Sequence, residues 1–200
     1  MRWPWLAIVC ALCAVSGALA LPDNPAISAL YARALAGDKT AVTECIAALD
    51  KILAARPDDQ LARVYLGSTY TLLSRDLPLG PAKLSALRKG LALMDEAAAA
   101  APADAAVQLN RAITNQALPA FLGRRKVARA QLDRLVEQIE KNPSALIPND
   151  RQLLYLNAGE AAARAGEMER AQVLWQRGAA LQADPRLTKE IAEAMAAARK

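Results

Sequence analysis

The chain has 200 residues, of which 54% are hydrophobic, and it carries a formal net charge of +5 at pH 7 without a single histidine. That length suits one domain with a continuous core. The missing histidine excludes Ser-His-Asp triads, histidine-paired cysteine nucleophiles and histidine-containing zinc sites, and the mild, interspersed charge argues against a nucleic-acid-binding stripe.

The first twenty residues have the pattern of a signal peptide. Arg2 gives a short positive start, residues 6–15 form an apolar run, and a small-x-small cleavage site ends at Ala20. The apolar run is too short to span a bilayer comfortably. We predict cleavage after Ala20, which leaves an exported, periplasmic domain of residues 21–200. The alternative is an uncleaved segment that anchors the protein in the inner membrane.

The cysteines support a fold without disulfides. Cleavage after Ala20 removes Cys10 and Cys13 and leaves Cys45 alone, and a lone cysteine cannot form an internal disulfide. Cys45 lies on an apolar helical stripe with Val42 and Leu49. We therefore predict a buried thiol that packs as a small hydrophobic side chain.

Turn signals divide the rest of the chain into nine predicted helices. The first four are predicted at about residues 25–36, 39–55, 58–75 and 82–100, with Asp58 as the N-cap of the third. The fifth follows residues 102–104, and the sixth covers about residues 124–141. Asn142-Pro143 and Pro148-Asn149-Asp150 bound a loop. The seventh and eighth form a hairpin over residues 154–181, and Asp184-Pro185 starts the ninth.

The apolar residues recur at helical spacing, for example Leu132, Leu135 and Ile139 in the sixth helix. Each helix has one apolar stripe, which it cannot bury alone. With a single phenylalanine and few glycines the composition disfavours an all-β fold. We predict an all-α fold of stacked antiparallel hairpins, an α-solenoid, in which the last helix caps the exposed end.

The hairpin over residues 154–181 carries the most specific pattern. Its small residues lie where two helices must touch, and two aromatic side chains fill the space beside them: Gly159, Ala162, Gly166, Ala171 and Gly178, with Tyr155 and Trp175. This pattern resembles the tetratricopeptide repeat, or TPR. Leu66-Gly67 with Tyr70 repeats part of it, and the resemblance covers roughly residues 25 to 185.

The period is longer than that of an ordinary repeat. The corresponding positions Gly67, Ala112 and Gly159 are 45 and 47 residues apart, whereas the ordinary tetratricopeptide repeat has about 34 residues. Leu-Pro insertions account for much of the excess, and in one of them Leu118, Phe121 and Leu122 are predicted to fold back as an apolar plug. A HEAT-type helical repeat is the alternative fold.

The resemblance implies a groove that binds a peptide or a helix of a partner protein. In the family the first helix of each hairpin lines this groove, and Asn110 and Asn157 fall where a groove-facing asparagine is frequent; the alternative is that both satisfy local turns or face water. The groove residues that the resemblance implies are Asn110, Arg111, Ile113, Gln116, Asn157 and Glu160. The implied function is a non-catalytic scaffold or assembly factor in the bacterial envelope, with a protein partner and neither cofactor nor metal.

A cluster of four basic residues gives a second hypothesis. Arg124, Arg125, Lys126 and Arg129 occur together at the start of the sixth helix. They form either a solvated helix face or a patch for an acidic surface. If they form a patch for an acidic surface, the alternative function is a membrane-tethered structural envelope protein with peripheral membrane association.

Enzyme classes based on carboxylates alone stay open. The pairs Glu137 with Glu140 and Glu167 with Glu169 have polar neighbours and are predicted to be solvated. Acid-base catalysis would require a buried carboxylate with a perturbed pKa. The sequence favours a protein that is not an enzyme.

Overall fold

The computed structural model describes residues 24–198, and this part of the chain consists of helices and their connections without a β-strand. The helices are α1 (Pro25–Leu35), α2 (Lys39–Ala55), α3 (Gln60–Asp76), α4 (Pro81–Ala100), α5 (Ala105–Ala117), α6 (Arg124–Lys141), α7 (Pro148–Arg164), α8 (Met168–Leu181) and α9 (Pro185–Ala197), with short 3₁₀ turns at Ala120–Leu122 and Pro143–Ala145. The predicted signal peptide, with Cys10 and Cys13, lies outside the described residues. Among the described helices, none has both the length and the apolar character that crossing a membrane requires.

The helices form four antiparallel hairpins that stack side by side. Helices α1 and α2, α3 and α4, α5 and α6, and α7 and α8 pack as pairs, and the first helices of neighbouring pairs also touch. Helix α9 packs on α7 and α8, where Ile191 is fully buried. The prediction of stacked hairpins with a final capping helix is confirmed.

Aspartate side chains cap the N-termini of several helices. Asp38, Asp59, Asp104 and Asp184 each accept a hydrogen bond from a backbone N–H of the first helical turn, which satisfies a donor that the helix itself leaves unpaired. The prediction of Asp58 as a cap is wrong by one residue. The backbone N–H of Asp59 still bonds to the Arg56 carbonyl in a turn, so the helix starts later.

Helix α7 also starts earlier than the sequence indicates. Its first residue is Pro148, because a proline lacks the N–H that the first helical position leaves unpaired and has a φ suited to that position. Residues 148–150 are thus helical and do not belong to the preceding loop. The shift places Asp150 on the first turn of α7.

Two glycines bring α3 and α4 into backbone contact. A Cβ added to Gly67 would lie 2.7 Å from the carbonyl oxygen of Gly90, and one added to Gly90 would lie 2.6 Å from the oxygen of Gly67. In the last hairpin Gly159 makes room for Trp175, whose indole N–H donates to the Leu156 carbonyl at 3.2 Å. The prediction that small residues mark helix contacts is confirmed.

The buried side chains form separate clusters along the stack. The largest joins α5 to α9, and smaller clusters lie among α1, α2 and α3 and between α3, α4 and α5. Cys45 is fully buried in one of the N-terminal clusters, beside Thr69, and burial raises the pKa of its thiol. The prediction of a buried cysteine is confirmed.

Candidate functional site

A cavity of about 770 Å³ runs along the first helices of the hairpins. Side chains of α1, α3, α5 and α7 line it, together with the start of α4 and the connection over residues 118–122. Ten of its 25 lining residues are leucines. We refer to this cavity as the groove.

Helical periodicity explains which side chains reach the groove. On α3 the lining residues include Leu61, Tyr65 and Leu72, and on α5 they include Ala106, Leu109 and Ile113. Residues three and four apart lie on one face of a helix. Each first helix therefore turns one face to the neighbouring helices and another to the groove.

Exposed apolar side chains surround the mouth of the groove. Leu35, Leu79, Leu84 and Phe121 all line it, and their exposed fractions are 53%, 91%, 48% and 86%. Leu79 and Phe121 lie in the connections that follow α3 and α5. Exposed apolar side chains concentrated around one concavity are typical of a binding surface.

The insertion over residues 118–122 lines the groove without filling it. Leu118 is buried and Leu122 is partly buried, but Phe121 is exposed. The 3₁₀ turn after Pro119 and the left-handed φ of +70° at Gly123 direct the chain into α6. The prediction of an apolar plug is therefore wrong for Phe121, whose ring lies at the mouth.

One end of the groove is polar. The phenol oxygen of Tyr31 lies 2.6 Å from the Ser68 hydroxyl, which lies 2.9 Å from the hydroxyl of Thr114. This chain of hydroxyls joins α1, α3 and α5. The rings of Tyr31 and Tyr65 meet edge to face, with their centroids 4.9 Å apart. Burial is the main cause that raises the pKa of both phenols.

Two acceptors at this end have no partner within the part of the chain that the structure describes. The Oδ1 atom of Asn110 is buried and accepts no hydrogen bond. The half-buried carboxylate of Asp150 has neither a hydrogen bond nor an ion pair, and burial raises its pKa. Asp150 is close enough to Tyr65 for its charge to contribute to the raised pKa of that phenol.

The two cationic side chains that line the groove, Arg75 and Lys83, donate hydrogen bonds to backbone carbonyls. The guanidinium of Arg75 donates to the carbonyls of Ala34 and Leu35 at the end of α1. The ammonium of Lys83 donates to three carbonyl oxygens at the end of α3, at 2.8, 3.0 and 3.2 Å. Both interactions complement the negative end of a helix dipole, so neither cation neutralises Asp150.

The structure places two of the six sequence-predicted groove residues in the groove lining, namely Asn110 and Ile113. Arg111 instead binds Asp95 on α4 at 2.7 Å and Gln131 on α6. Gln116 is buried and donates to the backbone carbonyl of Asn157.

The remaining two lie on α7 without lining the groove. The amide of Asn157 donates to the Leu153 carbonyl of its own helix at 2.9 Å, which is the local role that the sequence left as an alternative. Glu160 lies 3.5 Å from Arg164, and burial raises the pKa of its carboxyl. The sequence did not identify Tyr31, Tyr65 or Asp150 as site residues.

The basic cluster makes internal contacts. Arg124 binds Asp95, Arg129 binds Glu167, and Arg125 donates to the Leu118 carbonyl. Lys126 is exposed. These contacts satisfy most of the cluster within the domain and leave less positive charge for an acidic surface.

The carboxylate pairs proposed from the sequence lie in solvent. Glu137, Glu140, Glu167 and Glu169 are all exposed, so the prediction of solvated pairs is confirmed. Asp150 is the one carboxylate among the described residues that line the groove.

Comparisons with known proteins agree with the hairpin architecture. The structure of a thermophilic TPR protein from Thermus thermophilus superimposes on this chain with a TM-score of 0.60. The match covers 88% of this chain and 84% of that one, with 21% sequence identity. No protein-family model matches the chain, and neither does any curated protein. The chain therefore has a TPR-like α-solenoid fold, as predicted.

Proposed function

We propose that the protein is a non-catalytic scaffold that binds an apolar segment of a partner protein in the groove. The observation that supports this most is the set of exposed apolar side chains at the mouth, above all Leu79 and Phe121. Fully burying one such side chain contributes about 1.5–3 kcal/mol, which offsets part of the free-energy cost of association. A partner that covers the mouth would gain this term several times.

The shape of the groove supports a polypeptide ligand. Grooves that bind an amphipathic helix or an extended segment contact apolar side chains spaced at regular intervals along the ligand. Here the lining comes from four first helices of successive hairpins, so apolar contacts continue along the stack. The family resemblance implies the same surface.

Binding is favoured over catalysis by the chemistry of the lining. Glycoside hydrolysis, for example, commonly uses two carboxylates that flank the scissile bond. Asp150 is the only acid that lines the groove in the described part of the chain, and the hydroxyls of Tyr31, Ser68 and Thr114 bond to one another. We therefore assign the groove a recognition role.

We further propose that the domain acts in the bacterial envelope after cleavage behind Ala20. The support is the sequence pattern of residues 1–20. Mass spectrometry of the protein recovered from the periplasm would give its N-terminus. A chain that begins at Leu21 agrees with the proposal, whereas an intact N-terminus in the membrane fraction favours the anchored alternative.

A matched pair of variants tests the groove. The variant Leu79→Ser with Phe121→Ser removes apolar area at the mouth, and Val127→Ser with Val173→Ser removes exposed apolar area elsewhere on the surface. We expect affinity capture with the first variant to lose partners that the wild type retains, while the second variant keeps them. Equal capture by the two variants would refute the assignment of the groove.

A further inference from the structure

We propose that the polar end of the groove recognises one cationic side chain, a lysine or an arginine, carried within the apolar segment of a partner polypeptide. This inference rests on the proposed function and names the chemistry of the segment that the groove selects. The residues that carry it are Asp150 and Asn110.

No cationic side chain among the described residues pairs with the carboxylate of Asp150, which lies on the first turn of α7, where the helix N-terminus carries a partial positive charge. The carboxylate is half-buried among apolar and phenolic groups and makes neither an ion pair nor a hydrogen bond with the described residues. Removing a carboxylate from water costs free energy unless a cation or hydrogen-bond donors replace the water. The raised pKa of Asp150 reflects this cost. A cation bound in the groove would supply the missing interaction.

Asn110 supplies a second acceptor in the same end of the groove. Its Oδ1 is buried without a hydrogen bond, and a buried acceptor without a donor destabilises the protein. The adjacent hydroxyls of Tyr31, Ser68 and Thr114 bond among themselves. The Asn110 oxygen and the Asp150 carboxylate are thus two acceptors of the groove lining to which no described residue donates a hydrogen bond.

Lysine and arginine match this arrangement. An ammonium has three donors and no acceptor, and a guanidinium has five donors and no acceptor. A C-terminal carboxylate, in contrast, would approach the charge of Asp150, while Arg75 and Lys83 already donate to backbone carbonyls. The charge of this end therefore selects a cation over an anion.

The apolar lining indicates which residues flank the cation in the bound ligand. Leu153 lies one turn along α7 from Asp150, and Leu109 and Ile113 lie beside Asn110 on α5. A free small cation would leave these side chains uncovered. A polypeptide segment with apolar residues on both sides of a lysine or arginine would cover these apolar side chains, and its cation would contact the acceptors at the same time.

The experiment uses two fluorescein-labelled helical peptides and the purified protein. One peptide is leucine-rich with a central lysine, and the other replaces that lysine with norleucine, which has a similar aliphatic chain without the charge. Fluorescence polarisation measures both affinities for the wild type, for Asp150→Asn and for Asp58→Asn. Asp58 is exposed and outside the groove lining, so its variant makes the same change in net charge.

We expect the wild type to bind the lysine peptide about tenfold more tightly than the norleucine peptide, because a charge-assisted contact in a partly desolvated site exceeds a neutral one. Asp150→Asn should reduce this preference to less than about twofold, because the lysine peptide loses its ion pair and the norleucine peptide no longer covers a carboxylate. Asp58→Asn should keep the preference. Circular dichroism confirms that each variant is folded.

The outcomes separate this inference from the proposed function. Equal affinity of the wild type for both peptides overturns the cation site and leaves the apolar groove intact. A lysine preference that survives in Asp150→Asn overturns the assignment to Asp150. Failure of both peptides to bind overturns the groove as a docking site, and the cation site with it.

Discussion

The contact between Gly67 and Gly90 allows a quantitative test of the packing that forms one wall of the groove. In Gly67→Ala the new Cβ would lie 2.7 Å from the Gly90 oxygen and 2.9 Å from the backbone nitrogen of Met94. Ordinary van der Waals contact begins at 3.4 Å. Both neighbours are backbone atoms of α4, so a change of side-chain rotamer cannot relieve the contact, and α4 must move away.

Two opposing effects set the magnitude. Alanine in place of glycine in a helix interior stabilises by roughly 0.5–1 kcal/mol. Overpacking of a close contact costs about 1–3 kcal/mol, and the upper end applies here because a helix shift of several tenths of an ångström also loosens its other contacts. We expect Gly67→Ala to lower the free energy of unfolding by about 2 kcal/mol.

Urea denaturation followed by circular dichroism measures this difference. The control is the exposed position Gln138 on α6. The variants Gln138→Gly and Gln138→Ala measure the difference in helix propensity between glycine and alanine, without a contribution from packing. There alanine should be the more stable by up to about 1 kcal/mol. If Gly67→Ala were as stable as the wild type or more so, the close approach of α3 and α4 would be refuted.

Three further predictions concern the core, the groove and a turn. Leu132→Ala, at a fully buried position, should cost about 2–5 kcal/mol in urea denaturation, and a loss below 1 kcal/mol would contradict its burial. Asp150→Asn should be more stable than the wild type at pH 7, because burial raises the pKa of Asp150 in the folded state. Below that raised pKa the folded wild type takes up a proton and regains the lost stability, so the difference in free energy of unfolding should vanish as the pH falls towards 3.8; a difference independent of pH would contradict this account. Gly166→Ala should cost about 1–2 kcal/mol by thermal denaturation because φ is +82°, and an unchanged Tm would contradict the left-handed turn.

The helices could be predicted because their ends are set by local chemistry. Helices α1, α4 and α9 begin at Pro25, Pro81 and Pro185. A proline favours the first position of a helix whatever the rest of the fold is, so these starts can be predicted from a few neighbouring residues. The same local reasoning missed Asp59 because two aspartates are adjacent and the turn, which the sequence does not show, decides which one caps. The sequence therefore predicts which segments are helical, but it does not always predict the residue at which a helix begins.

The groove was less predictable because it depends on how one hairpin lies on the next. Asp150 reaches the groove only because α7 begins at Pro148 and stacks beside α5. Asn157 falls at a comparable repeat position to Asn110, yet its amide bonds to its own helix. Spacing within one helix gives the face of a residue, but the angle between hairpins decides what that face meets.

The separation of the core into clusters also has a practical consequence for spectroscopy. A chain that begins at Leu21 retains one cysteine and one tryptophan, Cys45 and Trp175. Each is buried, the first near α1 and the second between α7 and α8, in different clusters. The rate of thiol labelling at Cys45 would report opening of the N-terminal hairpins, and indole fluorescence would report the C-terminal ones. In a linear stack of repeats these two signals can diverge, so the protein carries its own pair of probes for whether its two ends unfold together.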